Sequence, residues 1–139
     1  MYPISLDMRG RRVLVVGGGP VAARRVSGLL AAGAQIHVVS PYVVEDIREL
    51  ASAGRVQWLA REYADGDLRG AWLVHSCADS RDVNAAVAAA ADAAGVWCVR
   101  ADNATASAAR SNRRFNSSRS RLAPSCAGRA PASRRRRIN

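Results

Sequence analysis

The chain has no lysine; all 21 of its basic residues are arginine. With abundant alanine, that bias points to a G+C-rich coding sequence. Acidic residues are missing from positions 110–139, which carry ten Arg and no Asp or Glu. Residues 1–109 hold 11 Arg against 11 acids, so this body is neutral and the formal charge of +10 lies in the last 30 residues. A neutral body has no net electrostatic pull toward phosphate, which leaves nucleic-acid binding to the arginine tail alone. Cysteine is scarce, and Cys77, Cys98 and Cys126 form an odd set without metal-ligand spacing. That argues against a disulfide framework or a metal site and for a reducing compartment, so a cytoplasmic location is expected. Long apolar runs are absent too. None approaches the roughly 20 residues of a membrane span, and no signal-peptide pattern precedes the first strand.

What is present begins at Val13-Leu14-Val15-Val16-Gly17-Gly18-Gly19-Pro20-Val21-Ala22-Ala23. Four apolar residues, mostly β-branched, predict a buried parallel strand. Three glycines and a helical pattern follow, with Gly17-x-Gly19-x-x-Ala22 at the turn. Glycine lets a backbone turn sharply and approach a pyrophosphate, whose charge then meets a helix N-terminus. The bare motif is weak, but here it has its strand before it and its helix after it. The competing reading is a glycine turn kept only for strand–helix packing. Dinucleotide binding at Gly17, Gly18, Gly19, Pro20 and Val21 is expected.

The periodicity predicts strands at 12–16, 35–39, 56–59, 72–77 and 97–100, and helices at 20–32, 44–53 and 81–94. Pro20 suits a first helical turn, and Gly33, Gly54 and Gly95 suit the stops. Asp79 or Ser80 is the expected N-cap of the third helix. Residues 60–70 read as a loop with one helical turn. Strands alternating with helices through short connections imply an α/β fold: a doubly wound parallel sheet of order 3-2-1-4-5, with ligands at the carboxyl ends of the strands. Residues 1–109 are read as that domain. Residues 110–139 are read as a disordered Arg/Ser-rich tail, too charged and too poor in apolar residues to offset the entropy of ordering.

At the end of the second strand an Asp or Glu ordinarily takes the adenosine ribose; Val39-Ser40-Pro41-Tyr42 has none. Ser40 can donate to a ribose hydroxyl, and backbone contacts from Pro41 and Tyr42 are expected. The residues themselves leave NAD and NADP both open. Asp102 follows the fifth strand at the ligand-facing edge, where a carboxylate can act as general base or simply cap the turn. His37 and His75 lie within strands and read as satisfied core or edge histidines. Cys98 reads as a buried, inert thiol with no cation beside it.

Together these residues resemble the N-terminal module of the siroheme synthases, the precorrin-2 dehydrogenase and sirohydrochlorin ferrochelatase family. The likeness covers roughly residues 3–108. It runs from Leu6-Asp7-Met8-Arg9-Gly10 through the glycine block and Val21-Ala22-Ala23-Arg24. It continues in Leu29-Leu30-Ala31-Ala32-Gly33-Ala34, Val38-Val39-Ser40-Pro41, Ala78-Asp79-Ser80-Arg81-Asp82-Val83-Asn84 and Trp97-Cys98-Val99-Arg100-Ala101-Asp102. The resemblance implies a Rossmann-like domain that uses NAD to oxidise precorrin-2 to sirohydrochlorin. In many members Fe²⁺ is then inserted, a ferrochelatase (lyase) step. It also implies NAD contacts at Pro20, Val21, Pro41 and Tyr42, an essential aspartate at Asp102, and a homodimer built by a second half of the chain. Two departures stand out. Ala78 replaces an expected threonine, and residues 110–139 resemble nothing in that second half. The chain therefore reads as truncated or frameshifted after about residue 108, with impaired activity expected. Two other readings compete: an NAD-sensing domain without catalysis, which has no need of Asp102, and a nucleic-acid binder acting through the tail.

Overall fold

A computed structural model describes residues 4–102. The expected domain boundary at residue 109 and the tail at 110–139 lie outside the described residues. In chain order the elements are β1 (Arg12–Val16), α1 (Pro20–Ala31), β2 (Gln35–Val39), α2 (Glu45–Ser52) and β3 (Gln57–Leu59). A 3-10 turn (Asp65–Leu68), β4 (Leu73–Ser76), α3 (Arg81–Ala93) and β5 (Trp97–Arg100) complete it. The five strands form one sheet of order β3-β2-β1-β4-β5, and every pairing is parallel. This is the doubly wound, Rossmann-like arrangement that the sequence pattern predicts.

Strand β1 shows why the pattern was continuous rather than alternating. Val13 and Val15 pack on one face of the sheet with Ala22, Val26 and Leu29 of α1 and Ile47 of α2. Leu14 and Val16 pack on the other with Leu68 of the 3-10 turn and Val87 and Ala91 of α3. A central parallel strand is covered on both sides, so Val13 through Val16 are all apolar. Each such fully buried side chain contributes about 1.5–3 kcal/mol of transfer free energy.

The boundaries differ from expectation by a residue or two, for identifiable reasons. Ala32, Ala53 and Ala94 are C-caps, and Val44 is an N-cap. The expected strand at 72–77 is shorter as β4, although the Cys77 amide still donates to the Val16 carbonyl at 2.8 Å. Gly33 follows the C-cap of α1 at φ +77°, the left-handed position expected of a helix-ending glycine. Of the two N-cap candidates Ser80 holds the place, its hydroxyl accepting from the Val83 amide at 3.4 Å.

Candidate functional site

The carboxyl ends of β1, β2 and β4 open onto a cavity of about 780 Å³. Gly17, Gly18 and Gly19 form one wall, Ser40, Pro41 and Tyr42 a second, and Cys77 through Ser80 a third. Six of the expected cofactor-binding residues thus come together in one place. Pro20 and Val21 are not in the lining; they begin α1 immediately behind Gly19.

The three glycines have different physical reasons. Gly17 sits at φ +118°, and a Cβ there would overlap the Cys77 carbonyl and the Ala78 nitrogen. A Cβ at Gly18 would overlap the Tyr42 carbonyl oxygen and crowd Val43. Packing alone therefore accounts for both. Gly19 is different. Its backbone is ordinary, φ −81° and ψ −173°, and among the described residues no atom beyond its two chain neighbours lies within 4 Å of an added Cβ. As N-cap of α1 it contributes no capping side chain, and the first turn has no acidic residue. First-turn N–H groups that no side chain caps are partners for an anion, with the helix dipole behind them. The residues present therefore fit a pyrophosphate.

At the end of the second strand the Ser40 hydroxyl donates to the Tyr42 carbonyl at 2.6 Å, as serines at turns commonly do, and the Trp58 indole donates to the Ser40 carbonyl at 2.9 Å. Tyr42 is largely exposed, over the cavity rim.

Asp102 lies beyond the end of β5 and outside the cavity lining. It is ion-paired with Arg100, Nε to Oδ1 at 3.1 Å and Nη2 to Oδ2 at 2.9 Å. The Arg100 hydrogen bonds, and then the guanidinium charge, hold its carboxyl below the usual range against some desolvation. Asp102 is therefore ionised and able to accept a proton, though less basic than a free carboxylate.

Several neighbours went unread in the sequence. Glu62, Tyr63 and Asp65, from the stretch read as a loop, line the cavity. Burial first, then Asp65, pushes the Tyr63 hydroxyl up to about 12, so it stays protonated. Asn84, on α3, is 1% exposed and bonds Ser76 and Ala78. His75 is buried as expected, but it is not satisfied: its Nδ1 has no hydrogen-bond partner. Burial, and then Arg25, lowers its pKa to about 4, which keeps it neutral. Cys98 is buried as expected. Arg100 does act on it electrostatically, but burial outweighs that charge and the thiol is pushed up. A second cavity, about 750 Å³, lies at the amino ends of β4 and β5 and contains none of the expected site residues. Among the described residues no group of three or more His, Cys, Asp or Glu is placed to hold a metal ion, and no helix is long and apolar enough to cross a membrane.

A family model described as "Putative NAD(P)-binding" matches residues 4–111. The chain belongs to this NAD(P)-binding family. The domain is 44% identical over 95 residues to siroheme synthase 3 of Aeromonas hydrophila, a match covering 68% of this chain and 20% of that relative. To the siroheme synthase of Chromobacterium violaceum it is 42% identical over 106 residues, 76% of this chain and 23% of the relative. The chain thus spans about a fifth of the length of these curated relatives. A solved structure titled SirC, precorrin-2 dehydrogenase, is similar with a TM-score of 0.60 at 38% identity, over 63% of this chain and 44% of that one. Apo D-lactate dehydrogenase from Escherichia coli shares the fold alone, with a TM-score of 0.53 at 19% identity over 68% of this chain and 29% of that one.

Proposed function

We propose that this NAD(P)-binding domain holds NAD with its pyrophosphate against residues 17–21 and serves the oxidation of precorrin-2 to sirohydrochlorin. The observation that carries the nucleotide reading is Gly19, the one glycine of the turn whose added Cβ would meet nothing beyond its chain neighbours among the described residues. The space beside it is what a ligand would fill. Charge favours NAD over NADP. The described lining holds Glu62, Asp65 and Asp79 and no Lys, Arg or His. A 2′-phosphate would bring added negative charge toward these carboxylates with no cation to pair it. The precorrin-2 step draws on the likeness to siroheme synthases and to the solved precorrin-2 dehydrogenase. Removing two hydrogens from the ring needs a hydride acceptor, which bound NAD⁺ supplies, and a proton acceptor. Asp102, ionised at the carboxyl edge of the sheet, takes the proton, and Arg100 fixes the orientation of its carboxylate. Iron insertion is not assigned to any described residue.

Calorimetry with NAD⁺ and NADP⁺, and NADH formation from precorrin-2, test this reading on the whole chain. NAD⁺ binding at least about tenfold tighter than NADP⁺ is expected, equivalent to about 1.4 kcal/mol. Asp102→Ala should leave NAD⁺ affinity nearly unchanged and lower turnover by on the order of 10²-fold. A wild-type chain that binds neither nucleotide overturns the proposal. One that binds NAD⁺ but forms no NADH with precorrin-2 supports a nucleotide-sensing domain in its place.

A further inference from the structure

Asn84 is, with Ser76, one of the two most thoroughly enclosed polar residues among those described. It sits in the first turns of α3 on the stripe that also carries Val87 and Ala91, facing the sheet, and is 1% exposed. A side-chain amide has two acceptor lone pairs and two donor N–H groups, and a buried one must fill them. Its Oδ1 accepts from the Ser76 hydroxyl at 2.7 Å and from the Ala78 amide at 3.0 Å. Its Nδ2 donates to the Ala78 carbonyl at 2.8 Å.

Both polar backbone groups of Ala78 are therefore held by one side chain, as a neighbouring strand would hold them, at the point where β4 has already ended. That peptide matters to the cavity. The Cys77 carbonyl and the Ala78 nitrogen are the atoms that a Cβ at Gly17 would strike, so they form the floor beneath the glycine turn. Both ends of the Asn84 amide thus hold the peptide that floors the glycine turn.

We infer that Asn84 is a positioning residue that sets the height of the glycine turn through the Ala78 peptide. The inference rests on the reading of the cavity as a nucleotide site. Asparagine suits the role for a definite reason. Aspartate has nearly the same shape but no donor at neutral pH, and its charge would face the Ala78 carbonyl. Leucine would leave the Ala78 N–H and C=O unpaired in a dry site.

Calorimetric titration of the whole chain with NAD⁺ tests the inference, using Asn84→Asp and, as a destabilised control, Val87→Ala. Val87 is fully buried on the same face of α3, one turn further along. Asn84→Asp should bind NAD⁺ about tenfold more weakly, while Val87→Ala stays within about twofold of wild type although it unfolds more easily. A readout on the wild-type chain makes the test independent of whether Asn84→Asp folds. The Asn84 side-chain NH₂ resonances should move on saturation with NAD⁺, although the group is buried. The inference is overturned by a folded Asn84→Asp variant with wild-type affinity or by equal losses in both variants. Asn84 resonances that stay fixed while those of residues 17–19 shift overturn it as well. Failure of the wild type to bind NAD⁺ is a different result and removes the nucleotide reading itself.

Discussion

Alanine at Gly18 and at Gly19 separates what the glycine turn owes to packing from what it owes to a ligand. At Gly19 the backbone is already in a conformation that any residue adopts, and among the described residues the new methyl meets no atom beyond its chain neighbours. Replacing Gly by Ala narrows the unfolded ensemble and stabilises by about 0.4–1 kcal/mol. Against that, Ala is a poorer N-cap than Gly, and Gly19 is the N-cap of α1. The two terms nearly offset, so unfolding should change by less than about 0.5 kcal/mol. NAD⁺ affinity should fall at least about tenfold, because the methyl projects into the space assigned to the pyrophosphate. At Gly18 the balance reverses. The methyl would overlap the Tyr42 carbonyl, and the Gly18 carbonyl accepts from the Val44 amide at 2.8 Å, so the backbone cannot move away without losing that bond. A cost of about 2–3 kcal/mol is expected from overpacking and the strained bond. Urea unfolding followed by tryptophan fluorescence gives the stabilities, and calorimetry gives the affinities. Wild-type NAD⁺ affinity in a folded Gly19→Ala refutes the ligand reading of that space. Wild-type stability in Gly18→Ala refutes the packing argument.

His75 predicts a pH dependence with an unusual sign for histidine. Its pKa is about 4 in the folded chain and 6.5 when exposed, so above pH 6.5 it contributes nothing; between 6.5 and 4 the unfolded chain takes up a proton that the folded chain refuses. Stability should fall by up to about 1.4 kcal/mol per pH unit across that window, about 3 kcal/mol in all, and His75→Leu should remove this slope in urea titrations; an unchanged slope rules the assignment out. Asp67 predicts the next loss. Its carboxylate accepts from Arg61 at 2.9 and 2.6 Å and from the Ala64 amide at 2.9 Å, and the Arg61 hydrogen bonds lower its pKa despite desolvation. Its contribution is full above about pH 3.9 and is lost as pH falls through its lowered folded value. Asp67→Asn should lower the melting temperature at neutral pH by on the order of 5 °C in a thermal scan, and a melting curve superimposable on wild type counts against the pair.

The fold was legible because its signals are local. An apolar run without alternation meant a strand covered on both faces, and the short links between elements left few topologies to choose from. The cavity was legible at the glycine turn and the end of β2, since both follow from strand ends. What escaped depends on contacts across the chain. Glu62 and Tyr63 reach the cavity from a stretch with no periodicity, and nothing near them in sequence announces it. Asn84 is the instructive omission, because its signal was present. Positions 84, 87 and 91 form the buried stripe of an alanine-rich helix, and an amide on that stripe must find four partners or destabilise the fold. Its hydrogen bonds go to Ser76 and Ala78 and so tie α3 to the end of β4 and the floor of the glycine turn. A polar residue that helix propensity and core packing both disfavour is best explained by the backbone it holds in place.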